Sequence, residues 1–260
     1  MSTYSVGADP ELFLVNQEGK VVSAIGKIGG TKSHPIPVKS LGKGYAVQED
    51  NVLAEYNIPP CETAATFSRA HSNMLDWLGK QVGKQGLSIK VSASEIMPQE
   101  ELMDPRAMVF GCDPDFNVWS LEANPKPFST NPLLRSAGGH VHVGVRANKA
   151  DKVHIGRTLD AYLGLWSVLI DKDTRRRDLY GRAGSIRFKP YGLEYRTLSN
   201  FWVQEYPQKV FNLVHYALLH VRKGYEDVSL YGKDIQRAIN DSDQSLAQNL
   251  IEEVCINDRI

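Results

Sequence analysis

"GGHVHVGVR", residues 138–146, alternates valines with polar or small residues. Side chains on a strand point to opposite faces with period two. Val141, Val143 and Val145 therefore share one face, and His140, His142, Gly144 and Arg146 share the other. The valine side reads as a core face. The other side holds two imidazoles on one surface, so its meaning depends on what neighbouring strands set beside them.

Three more segments repeat the pattern. "ADPELFL" (8–14) puts Asp9, Glu11 and Phe13 on one face. "QEDNVLAEYN" (48–57), read as one strand, puts Glu49, Asn51, Leu53, Glu55 and Asn57 on one face. "LEYRTL" (193–198) sets Glu194 and Arg196 against Leu193 and Tyr195. A carboxylate within a sheet costs several kcal/mol unless it is paired or holds a metal. Four such strands in one sheet need a compensating charge. Carboxylate oxygens suit Mg²⁺ or Mn²⁺, and imidazole draws the preference toward Mn²⁺ or another transition metal. Carboxylate sites of this kind also serve phosphate chemistry, where the ion bridges protein and nucleotide oxygens.

The remaining pattern supplies a frame. "PELFLV" and "GKVVSAI" read as a hairpin turning near Glu18–Lys20. Residues 26–44, rich in Gly, Pro and Lys, read as a functional loop. A helix starts at a Thr63 cap, "SIKVSAS" is a strand, and residues 97–139 are mostly loop. Residues 150–171 form a second helix, "SIRFKPYGLEYRTL" a strand pair, and helices near 204–222 and 233–254 end the chain. Hairpins first and long helices later predict an α+β fold: a largely antiparallel sheet with helices on one face, as a single domain over 1–260.

Composition narrows the function. The 260 residues carry 30 Lys and Arg against 30 Asp and Glu, which gives no general attraction to nucleic acid or an acidic membrane. No apolar run suits a membrane span. Cys61, Cys112 and Cys255 are an odd number without a CxxC, so neither a disulfide framework nor a zinc knuckle is expected, and a cytoplasmic setting is. The basic block 172–196 includes Arg182, Arg187, Lys189 and Arg196. Arg187 and Lys189 share a strand face, and Arg196 shares one with Glu194. Arginines beside metal-binding carboxylates fit a polyphosphate or a substrate carboxylate.

"GADPELFL" (7–14), "EDNVLAEYN" (49–57), "AGGHVHVG" (137–144) and "YGRAGSIRFKPYGLEYRTLSNFW" (180–202), in that order, resemble the phage-encoded carboxylate–amine ligases, relatives of glutamate–cysteine ligase and glutamine synthetase. The resemblance implies a curved sheet with helices on its convex face, and ATP with Mg²⁺ or Mn²⁺. It implies activation of a carboxylate as an acyl phosphate, displaced by an amine, with ADP and phosphate released. The implied metal ligands are Glu11, Glu49, Glu55, His140 and Glu194. Asp50 is the alternative to Glu49, and single-strand parity favours Glu49. Arg196, Arg187 and Glu55 are the implied catalytic groups. Arg187, Lys189, Arg196 and His142 would face the nucleotide. Arg135, His142 and Asp113, the latter paired with Asp115 on a loop, would face substrate. The partners would be a small-molecule or peptide carboxylate and an amine, with an oligomer left open and the host cytoplasm as location. Lys32 and Lys39 belong to a loop that would close over the nucleotide. Two competing readings are an iron or zinc hydrolase or oxygenase built on the HxH pair and Glu194, and a non-catalytic binding module.

Overall fold

The computed structural model describes residues 4–108, 115–124 and 131–254. Strand β1 (Ser5–Val15) organises it. Its even positions Val6, Ala8, Leu12 and Leu14 are buried in the main core, while odd positions carry Gly7, Asp9 and Glu11. On one side β1 pairs with β10 (Gly139–Gly144), on the other with β5 (Leu53–Asn57). Beyond β5 lie β4 (Ala46–Asp50) and β3 (Ile36–Pro37). Beyond β10 lie β12 (Gly192–Tyr195), β11 (Ser185–Lys189) and β8 (Phe116–Asn117). Strands β2 (Val21–Val22) and β6 (Ser88–Lys90) extend the far end of β1, while β7 (Ser94–Ile96) and β9 (Leu134–Ser136) form a separate ribbon. The pairings are antiparallel throughout the described residues.

The helices cover the valine face. Helix α1 (Ala64–Gly83) begins with a Thr63–Thr66 capping box and buries Phe67, Met74, Leu75 and Leu78. It packs on α5 (Pro207–Lys223), as does α2 (Lys149–Leu159). A π turn, Asp160–Gly164, joins α2 to α3 (Leu165–Ile170). A short α4 (Arg175–Leu179) precedes the last strand pair. The main core joins these helices to Val141, Val143, Leu193 and Tyr195. The helices of the described residues leave the other face open except at one end, where a smaller core of Phe13, Leu53, Met97, Leu102 and Ala107 covers it. No helix of the described residues is long and apolar enough to cross a membrane.

Two expectations change. Residues 46–57 are a hairpin, not one strand: Asn51 takes a left-handed φ of 55° and the chain reverses at Asn51–Val52. Asn is the non-glycine residue that tolerates that region best. The final helix is two, α6 (Gly232–Asn240) and α7 (Gln244–Val254). "DSD" at 241–243 breaks it, with Ser242 at φ 56° and the Asp243 carboxylate accepting from the Leu246 N–H.

Candidate active site

The paired glycines act first. A Cβ on Gly138 would run into the His140 ring, and one on Gly139 into the Ser199 carbonyl. Only glycine lets the chain pass this closely. Register then stacks the functional side chains on the open face: His140 lies opposite Asp9, His142 opposite both Gly7 and Glu194, Glu194 opposite Arg187, and Glu11 opposite Glu55.

Asp9, His142 and Glu194 form one cluster, with ligand atoms within 4.8 Å of one another. His142 Nε2 is 3.0 Å from Asp9 Oδ1. His140 Nδ1 is 3.4 Å from the same oxygen and 3.8 Å from Glu194 Oε1. Both imidazoles therefore reach the carboxylate pair. The Tyr191 hydroxyl lies 2.6 Å from His142 Nδ1 and its ring stacks on the imidazole, which aims Nε2 at Asp9. Cations crowd Glu194: Arg196 pairs with Oε1, Lys189 Nζ is 2.7 Å from Oε2, and Arg187 stands 3.8 Å away. Burial and then Asp9 act to raise the Glu194 pKa, but His140, Arg196 and His142 outweigh them and hold it at about 2. For Asp9, burial is likewise overcome by the two imidazoles, and its carboxyl sits well below the usual range.

Glu11, Asp50 and Glu55 form the second cluster. Glu11 Oε2 accepts the Gly138 N–H at 2.6 Å, and Asn200 donates to the Glu11 carbonyl at 2.8 Å. Here the balance reverses. Burial raises the Glu55 pKa well above its ordinary value, and Asp9, Asp50 and Glu11 add to it. Burial is also the largest influence on Glu11, and its net shift is upward. Lys32 Nζ stands 3.7 Å from Asp50 Oδ2.

Beside the first cluster is a mostly apolar cavity of about 290 Å³, lined by Gly7, Ile58, Pro60, His142, Gly144 and Tyr191 among others. Gly7 and Gly144 leave room for it because neither puts a side chain on this face.

Glu11, Glu55, His140, His142, Arg187, Lys189, Glu194 and Arg196 thus come together on one face. Glu49 does not. The β4–β5 register sets Gln48 opposite Glu55 and Glu49 opposite Ala54, so Asp50 holds the place expected for Glu49. Glu49 instead accepts the N–H groups of Gly26 and Gly29, each at 2.8 Å, and pairs with Arg106. Arg135 is placed apart from them: its buried guanidinium donates to the carbonyls of Pro132, Leu134 and Ala107. Asp113 lies outside the described residues. Asp115 meets Arg196 Nε at 2.7 Å and Arg187 Nε at 3.6 Å. Sequence reasoning passed over Asp9 as a member of the first cluster, Tyr191 as a support and Asn200 altogether. The Asp9 signal was there, two residues before Glu11 on the same face.

A family model described as "Phage phiEco32-like COOH.NH2 ligase-type 2" matches residues 123–257, which include β10, β11 and β12. No curated protein matches the chain. Among solved structures, "Apo GmaS without ligand" superposes with a TM-score of 0.51 at 14% identity, over 96% of this chain and 65% of that one. "GmaS/ADP complex-Conformation 1" follows at 0.46 and 12%, over 95% and 66%, and a Plasmodium falciparum glutamine synthetase at 0.45 and 9%, over 86% and 52%. The chain spans less than two thirds of the length of these structures. At this identity the first likeness is one of fold.

Proposed function

Because this chain belongs to the phage phiEco32-like COOH.NH2 ligase-type 2 family, we propose that it is an ATP-dependent carboxylate–amine ligase working through an acyl phosphate. One observation supports this above all: the open face gathers two carboxylate clusters with a rim of Arg187, Lys189 and Arg196 beside them. The donors fit Mg²⁺ or Mn²⁺. They are carboxylate oxygens with imidazole, and the crowding that raises Glu11 and Glu55 is what a divalent ion relieves. Glu11, Asp50 and Glu55 would hold one ion; Asp9 and Glu194, with the imidazole of His142 or His140, would hold another. Bound there, such ions neutralise phosphate oxygens.

The chain's own groups have distinct tasks. The apolar cavity receives the nucleotide base, and its His142 wall turns the phosphates toward the carboxylate clusters. Arg187 and Arg196 stabilise the charge spread over the γ-phosphoryl group as it leaves ADP for an oxygen of the acid substrate. The amine then attacks the carbonyl carbon, phosphate departs, and the amine sheds a proton. An iron or zinc centre on His140, His142 and Glu194 would leave the Glu11 cluster and the arginines without a role.

The test is thermal unfolding with Mg²⁺ and ATP. A ligand at about 100 times its Kd adds about 2.7 kcal/mol, a shift of several degrees at this size. Wild type should gain it only with the metal, Glu194→Gln should not, and acid and amine pools should release ADP rather than AMP. Folded wild type that ignores ATP with either metal would refute the reading.

A further inference from the structure

We propose that Asn57 is a specificity-determining residue whose side-chain amide recognises a hydroxyl of the nucleotide's ribose and so favours ribonucleotides over deoxyribonucleotides. The inference rests on the nucleotide reading above and deepens it by naming the sugar the site takes.

The order of groups along β1 carries it. On the open face, Glu11 is followed by Asp9, Gly7 and Ser5. Glu11 and Asp9 belong to the two carboxylate clusters, whereas Gly7 and Ser5 line the apolar cavity. Phosphates held at the clusters and a base held in the cavity put the sugar at the boundary between Asp9 and Gly7. Strand β5 places Asn57 at that boundary. Its register sets Glu55 opposite Glu11, and the Ile58 N–H donates to the Ala8 carbonyl at 3.2 Å, so Asn57 falls beside Asp9. Asn57 also lines the cavity, and so borders both the acids and the base pocket.

The chemistry of the side chain suits a sugar. A carboxamide both donates and accepts, as a ribose hydroxyl does. Asn57 Nδ2 donates to Oε1 of buried Gln48 at 3.4 Å, which sets the amide and leaves its oxygen as the acceptor for a ligand. The other polar side chains of the cavity are engaged elsewhere. The two His142 nitrogens lie against the Tyr191 hydroxyl and Asp9, and Ser5 Oγ sits over Gly144. Charge also favours a neutral group at this position. A further carboxylate would add to the crowding that raises Glu55, and a cation would compete with a bound metal. A site built to accept from a hydroxyl rejects the analogue that lacks it, because its polar atom is then left unpaired.

Calorimetry tests it without turnover. With Mg²⁺ present, ADP, 2′-deoxy-ADP and 3′-deoxy-ADP would each be titrated into wild type, Asn57→Ala and the near-isosteric Asn57→Leu. Wild type should bind ADP about tenfold or more tighter than at least one deoxy form, the scale of stranding a half-buried acceptor. Each variant should bind that deoxy form within about twofold of wild type and lose the preference for ADP, because the weakening falls on the hydroxyl-bearing nucleotide alone. Wild type that binds all three alike overturns the proposal, and this comparison needs no variant to fold. So do variants that weaken all three equally, which would make Asn57 a structural support or a phosphate contact. Wild type that binds none of them with Mg²⁺ or Mn²⁺ refutes the nucleotide reading and this assignment together, a pattern distinct from binding without preference.

Discussion

The two carboxylate clusters sit side by side on one face, sharing β1, yet their acids behave oppositely. Asp9 and Glu194 are held below the ordinary carboxylate range, while Glu11 and Glu55 are pushed above it. Burial is common to all four and is the largest single influence on each. Company decides the sign. β10, β11 and β12 surround Glu194 with two imidazoles, two guanidiniums and an ammonium. β4 and β5 surround Glu55 with other acids, and Lys32 stands at the edge beside Asp50. One cluster is neutralised from within, and on the proposed reading an incoming ion would displace those partners. The other is a group of acids, which on the same reading would be completed by a bound cation.

Charge removal should break this symmetry most visibly. Glu194→Gln and Glu55→Gln should each lower ADP release by roughly 10²–10³-fold, the scale of losing one stabilising group around developing charge. Their metal-free stabilities should move apart. Glu194→Gln strands buried cations, at about 3 kcal/mol, so unfolding should fall by roughly 6–12 °C. Glu55→Gln relieves crowding among acids and should unfold a few degrees above wild type. Calorimetric scans in a chelator would show both, and a fall in both variants would mean that the clusters do not differ.

Next in size is Tyr191→Phe. The hydroxyl fixes the His142 ring, and loss of such a support weakens metal binding by about 10–100-fold. A Mn²⁺ titration followed by paramagnetic resonance should show one of two binding steps weakened and the other, at Glu11, Asp50 and Glu55, unchanged. If both steps weaken together, the clusters act as one site.

The pH response follows from the signs. Glu11 and Glu55 have folded pKa values above their unfolded values, so their contribution to stability is complete below about pH 4.3 and is lost as pH rises through the folded values. Glu194 is the reverse. Its contribution is present above about pH 4.3 and is lost as pH falls toward about 2. Without metal, the unfolding temperature should therefore gain a declining limb of a few degrees on the alkaline side of the glutamate range. Mg²⁺ should flatten that limb, and so should Glu55→Gln. A limb that ignores both would assign it to other groups, of which buried Asp160, raised to about 6 chiefly by burial, is the foremost.

Much of this arrangement was legible in period-two alternation. The alternating segments 138–146, 8–14 and 193–196 place their polar residues on the open face, and the helix cap at Thr63 forms as expected. What was not legible came from single backbone events. A reversal at Asn51–Val52 lacks the Asn-Gly signal of a tight hairpin, and counting through it shifted the parity by one and chose Glu49 over Asp50. The surroundings of Arg135 were hidden for another reason: a sequence shows an arginine's charge but not the carbonyls that will accept from it. Tyr191 reads as part of a Pro-Tyr-Gly turn until the fold stacks it on His142.

The smallest expected effect separates the adjacent residues Glu49 and Asp50. Asp50→Ala removes a ligand from the second cluster and should abolish the corresponding Mn²⁺ step. Glu49→Ala removes the acceptor for Gly26 and Gly29 in the loop that carries Lys32. The loop loosens but the cluster stays whole. Mn²⁺ binding should hold, while the unfolding temperature falls by roughly 2–4 °C, the scale of losing one hydrogen-bond acceptor worth about 1 kcal/mol. If Glu49→Ala loses the Mn²⁺ step as Asp50→Ala does, then Glu49 faces the cluster after all. The register across the Asn51–Val52 reversal would then differ by one residue. A fall in stability with the Mn²⁺ step intact would instead establish that two consecutive acids on β4 work on opposite faces, one in the cluster and the other holding the loop.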